Sequence, residues 1–495
     1  MRFAYTLSLL ILTGYIGFTQ TVAARTREDT KKGMNSLKVE FSTNRIHGLF
    51  NFLQAISDKG AWQSPSIKEI FQSSEYNNEV AQQKLSLFVR SNLNLIYDLE
   101  TGTPYRPARR QIWQLFVMKA TQSNSLEDFK ERTFGLISNK DHEKIFTALQ
   151  YFEPIYEKLI WKPEVANLKG LISRASARAK EVDFNQSFAK VLNFFDADWD
   201  LSVPFKVYFS PIPNDSGYAV ATPQGNILTF STTSALSTDE QLSIVFHEMV
   251  HILFENQSLS IKQNLERRFL ESRLPTKSHA YHLLDEALAT SIGNGWFYKS
   301  LMGELDKEDW YATPYINGQA KAIYPLIEKY LTSERTIDDA FVDEYLALHS
   351  EKFPKSHLEI TNLFANTSVL ASDKIMNHEM LYPMYFNNFN FLRSIETFSP
   401  LTNYSEVSKH FQQLSTRILL ISSKAELEDI KVSFNHKKND KIDLNYKSGV
   451  IHYYQDSQGV MNFTIMIEKL EDYERAMIKL KEIEYLPNTI GQIDF

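Results

Sequence analysis

The run Phe246-His247-Glu248-Met249-Val250-His251-Ile252 constrains this chain more than any other stretch, because its two histidines stand four positions apart. On an α-helix that spacing puts both imidazoles on one face, one turn apart. Such a pair can place two nitrogens about 2.0–2.1 Å from one Zn²⁺. Glu248 sits beside the first histidine, off the ligand line. There it can accept a proton from a water whose pKa a metal lowers to about 7, as metal-assisted hydrolysis requires. The flanks fit a buried helix. Ile244, Val245, Met249, Val250, Ile252 and Leu253 are all apolar, and charges among them would be desolvated without partners. Ser237-Thr238-Asp239-Glu240 forms a capping box, with Ser237 as N-cap and Glu240 at N3, and no Gly or Pro follows before Asn256. The competing reading is a core helix whose polar trio is satisfied by hydrogen bonds alone. Burying two histidines and a glutamate without a metal is expensive, so a metal site is the expectation.

A catalytic zinc ion usually takes three protein ligands and a water. Phe254 and Gln257 stand where the longer pattern HExxHxxGxxH needs Gly and His, so that pattern is absent. Downstream, His282-Leu283-Leu284-Asp285-Glu286-Ala287-Leu288-Ala289-Thr290 is another apolar, helix-compatible stretch. A carboxylate from Glu286 would complete a His₂Glu set, and the small Ala287 and Ala289 would let the two helices approach closely. Asp285, Glu255, Asp239 and His282 are the other candidates for the third position.

Asp285-Glu286-Ala287-Leu288-Ala289 follows the form (Asn/Asp)-Glu-(Ala/Gly)-x-(Ala/Ser). Together with the HExxH run it resembles the gluzincin metallopeptidases, the thermolysin-like and aminopeptidase-like group. The resemblance spans roughly Val207 to Trp296. It implies that His247, His251 and Glu286 bind one zinc ion, that Glu248 activates the water, and that the substrate is a peptide or protein. It departs at Thr290, where thermolysin-like members often carry an Asp that supports a histidine ligand. Gluzincins also commonly add a Tyr or His donor to the oxyanion; Tyr382, Tyr385 and His378 are the candidates here. Two other functions stay open: a zincin-fold binding or scaffold protein without catalysis, and a metal-dependent hydrolase of non-peptide amides or esters.

The fold class expected is mainly α with small β elements (α+β). At 495 residues the chain exceeds one compact core. Residues 1–24 read as an export leader: Arg2, an apolar run from about Tyr5 to Phe18, then Val22 and Ala24 before a cleavage point. A periplasmic or secreted enzyme follows, with no membrane span in the mature chain. The absence of cysteine excludes disulfides, thiolate ligands and a cysteine nucleophile. A net charge of −7 and no basic motif argue against a nucleic-acid partner. Residues 25–200 read as a helical N-terminal domain, with helices over Glu79–Leu99, Arg110–Lys119, Glu143–Trp161 and Val165–Val182. Pro154 should split or kink the third, and Arg106–Arg110 reads as a solvated loop and helix start. Residues 201–350 read as the zincin-like catalytic domain. Its strand is Phe205–Phe209, and a hairpin turns at Pro223-Gln224-Gly225. Residues 351–495 read as helical to about 420 and then α+β, with strands at Ile418–Ile421, Lys431–Phe434, Gly449–Tyr454 and Val460–Ile467 and a helix from Glu468 to Ile483.

Overall fold

The computed structural model describes residues 38–57, 64–99, 108–213, 219–233, 236–372, 375, 381, 384–385, 388–389, 394–399, 414–435 and 445–495. The expected leader lies outside the described residues. Helices dominate a mixed α/β structure, and no helix among the described residues is long and apolar enough to cross a membrane.

Among the described residues the strands number twelve in chain order. β1 is Val39–Thr43, β2 Ile96–Leu99, β3 Ala108–Gln111, β4 Phe205–Pro211, β5 Ala219–Gln224 and β6 Ile227–Thr232. β7 is Asn366–Ala371, β8 Ser394–Phe398, β9 Thr416–Ile421, β10 Val450–Gln455, β11 Met461–Met466 and β12 Ile490–Asp494. The first sheet runs β1-β4-β6-β5, and the larger one runs β12-β10-β11-β9-β7-β8. β4 and the β5–β6 hairpin stand where the alternation and turn residues place them. The sequence pattern does not mark β1. It pairs in parallel with β4, Phe41 opposite Val207, and Thr43 Oγ1 donates to the Phe209 carbonyl at 2.8 Å.

Hydrophobic packing divides near Trp161, not near residue 200. One core takes its buried side chains from Ile46 to Ile160. The helices Lys162–Glu181 and Phe184–Phe195 instead bury Leu171, Phe188 and Phe194 in the core that also holds Phe209, Phe246 and Ile292. Trp161 packs against both. Pro154 does not break its helix. The α-helix Asn139–Tyr156 runs on through a π segment, Glu157–Trp161, which absorbs the irregularity.

Other expectations yield to tertiary context. The helix begun at Glu79 ends at Val89, because Ser91, Asn92 and Asn94 favour turns, and β2 follows. Arg110 lies in β3 and pairs with Glu255 at 2.6 Å. Lys431–Phe434 belongs to the helix Lys424–Asn435, whose Leu427 and Ile430 turn one face inward. The stretch expected to stay helical to about 420 contains β7 and β8. β7 has parallel neighbours on both sides, so it reads as a continuous buried run without alternation. The β10–β11 hairpin docks on the start of the helix Lys277–Ala289: Ser278 Oγ donates to the Gly459 carbonyl at 3.2 Å, and Gln455 Nε2 to that of Pro275 at 3.3 Å.

Candidate metal centre

The helix Thr238–Glu255 starts with the expected capping box: Ser237 Oγ accepts from the Glu240 amide at 3.2 Å, and Glu240 Oε2 accepts from the Ser237 amide at 2.7 Å. Its apolar face is fully buried, and Phe246 stacks on Phe297 with centroids 3.9 Å apart and planes at 11°. Phe184 meets both rings edge-on. Each aromatic pair adds about 0.5–1.5 kcal/mol beyond burial. Together they fix this helix against the segment that follows Lys277–Ala289.

That second helix brings Glu286 to the histidine pair. His247 Nε2 is 3.1 Å from Glu286 Oε1, His251 Nε2 is 3.2 Å from His247 Nε2, and His251 Nε2 is 3.7 Å from Glu286 Oε1. These three residues form a group able to hold a metal ion. A four-coordinate cation with bonds of about 2.0–2.1 Å puts its donors roughly 3.3–3.4 Å apart along each tetrahedral edge. The triangle matches that edge. The side chains are 8%, 17% and 21% exposed for His247, His251 and Glu286, so the group is shielded but still reached by solvent.

Proton positions strengthen the fit. Asn294 Nδ2 donates to the Trp310 carbonyl at 2.9 Å, which turns Asn294 Oδ1 toward His247 Nδ1 at 3.1 Å. His251 Nδ1 faces Asp285 Oδ1 at 2.8 Å. Both Nδ1 atoms can donate to these oxygens, which turns both Nε2 atoms toward the Glu286 carboxylate. A positive charge shared among the three groups, a metal ion or a proton, satisfies that convergence. Burial alone would push His251 down, but Asp285 and Glu286 outweigh it and raise the ring well above its usual 6.5. Burial pushes Glu286 up, yet its hydrogen bonds with His247 and His251 hold it far below the carboxylate range.

The same raised ring makes protons and metal compete. In the metal-free protein, His251 stabilises the fold below about pH 6.5, and that contribution fades as pH rises through its higher folded value. Metal affinity should therefore keep climbing with pH past neutrality rather than level near 6.5. Chelator competition across about pH 6–9 measures this; an affinity flat above 6.5 would contradict it.

The other third-ligand candidates are engaged elsewhere. Asp285 supports His251, Glu255 pairs with Arg110, and Asp239 accepts from Arg178 Nε at 2.8 Å. His282 lines a small cavity against the C-terminal sheet with His279 and His357. Tyr385 is not at the site: it is buried in the C-terminal core, hydroxyl to hydroxyl with Tyr473. His378 and Tyr382 lie outside the described residues. The aromatic residue beside the donor group is Tyr311, its ring nearly parallel to His247 with centroids 6.2 Å apart. Thr290 is fully buried, and among the described residues its Oγ1 has no hydrogen-bond partner. Asn294 supports His247 instead, and periodicity gives no sign of it.

No known family model, curated protein or solved structure matches the chain. Its function is therefore argued from the geometry of this site.

Proposed function

We propose that the chain is an exported zinc metallopeptidase of the gluzincin type. The observation that carries this is the triangle of His247 Nε2, His251 Nε2 and Glu286 Oε1, with Glu248 next to it on the same helix. A zinc ion bound there would supply Lewis acidity and make water acidic enough to attack near neutral pH. Burial raises the Glu248 carboxyl above its usual value; His247 and His251 pull it down, and Glu286 and Asp285 push it further up. A carboxylate tuned upward in this way suits a general base. Glu248 takes a proton from the attacking water and delivers it to the leaving nitrogen. Asp285 and Asn294 keep the two rings in one tautomer throughout.

The preference for peptides rests on β5. It is an edge strand, paired on one side with β6, and it lies against the HExxH helix. An extended peptide can add to such an edge by main-chain hydrogen bonds. The test begins with metal content. Purified wild-type protein should carry about one zinc per chain, and His247→Ala essentially none. Equal, negligible zinc in both would defeat the proposal.

A further inference from the structure

We propose that Asn294 is a positioning residue for His247, built into the site by a change of helical register. The proposal rests on the metal-site reading above. The helix Lys277–Ala289 does not stop at the ligand; it continues as a π segment over Thr290–Phe297. An α turn takes 3.6 residues, and a π turn, with i→i+5 bonds, takes roughly one more. Four residues of α-helix after Glu286 overshoot one turn slightly, and four of π-helix fall slightly short of the next. Asn294 thus comes back to the face that carries Glu286. In an uninterrupted α-helix it would be rotated about 80° away. Thr290, the residue α spacing would choose, is left without a role at the ligands.

Two glycines make the placement possible. A Cβ on Gly293 would lie 2.6 Å from His247 Cα and 2.7 Å from His247 N, so only glycine lets the segment press this closely on the HExxH helix. Ser243 Oγ closes the same contact by donating to the Gly293 carbonyl at 3.1 Å. A Cβ on Gly295 would meet the Trp310 ring at 2.8 Å. Between these contacts Asn294 reaches His247 with its oxygen and the Trp310 carbonyl with its nitrogen. The Trp310 end is itself fixed. Its amide donates to Asn317 Oδ1 at 2.8 Å, its indole Nε1 to the Asp306 carbonyl at 3.0 Å, and Lys321 Nζ sits 5.6 Å from its ring centroid. Only an amide satisfies both ends. It donates to the carbonyl and accepts from the imidazole, which commits His247 to Nδ1–H and leaves Nε2 free for a cation.

The two halves of the amide can be separated. Asn294→Leu removes both the acceptor and the donor at similar volume; Asn294→Asp keeps the acceptor and loses the donor. Dissociation constants for zinc alone, measured by chelator competition, should weaken by about 10–100-fold in the leucine variant and stay close to wild type in the aspartate variant. Equal weakening in both would show that Asn294 only anchors the Trp310 loop and would overturn the proposal. So would an unchanged leucine variant. Long-range ¹H–¹⁵N spectra of metal-free wild-type protein at alkaline pH read the ring directly, even if the leucine variant fails to fold. A proton on Nδ1 of His247 supports the assignment, and a proton on Nε2 overturns it. Wild-type protein that binds no zinc yet shows the Nδ1 proton would defeat the proposed function while upholding the positioning role.

Discussion

Glu248→Gln is expected to lower peptide turnover by about 10²–10⁴-fold while zinc content stays at the wild-type level. That loss is about 3–5 kcal/mol of activation free energy, at about 1.36 kcal/mol per decade. The replacement is nearly isosteric, so the packing of the helix Thr238–Glu255 should survive. Glu248 stands outside the donor triangle, so the metal should survive as well. What disappears is the group able to accept a proton within the site. Assay against a mixed peptide library, with and without chelator, measures the effect. Wild-type turnover in the variant would remove Glu248 from the chemistry. Unaltered partner binding with no turnover in either protein would favour a scaffold.

Gly293→Ala should destabilise the fold and the metal site together. The new methyl would lie inside contact distance of three His247 atoms, two of them backbone, and a backbone cannot swing aside as a side chain can. Overpacking of this kind costs about 1–3 kcal/mol, and a rigid neighbour puts this site near the upper end. Relief requires the π segment and the HExxH helix to separate, which carries Asn294 away from His247, so zinc affinity should fall as well. Gly170→Ala is the control. In the helix Lys162–Glu181 its methyl would meet only the far end of Arg174, at 3.5 Å, and alanine there should add about 0.5–1 kcal/mol of stability. Denaturant midpoints and zinc affinities of both variants decide the matter. A neutral Gly293→Ala would mean the two helices are not held at this separation.

Much of the centre could be read from residues because its determinants are local. The capping box, the i,i+4 histidines and the apolar flanks all fall within one helix. Glu286 was marked by its acidic neighbour and two small residues in a second apolar stretch. Asn294 was hidden because its placement depends on π hydrogen bonding, which no 3.6-residue period reveals. Only the two flanking glycines hinted that something packs closely there. β1 and β7 escape the sequence pattern for a related reason. Each is a short segment whose partners lie far along the chain, and β7 is buried on both faces, without the alternation that identifies a half-buried strand. Lys431–Phe434 misled in the opposite way, since four alternating residues imitate a strand inside a helix whose inward face is set by Leu427 and Ile430.

The pairing of β1 with β4 makes the N-terminal helices an inserted loop rather than a bead on a string. Both ends of residues 44–204 are stitched into neighbouring positions of one sheet. Trimming the protein to a fragment that starts at Lys162 would strip β4 of its outer neighbour and leave a raw, sticky margin prone to self-association. During synthesis, β1 must likewise wait for a partner made some 160 residues later.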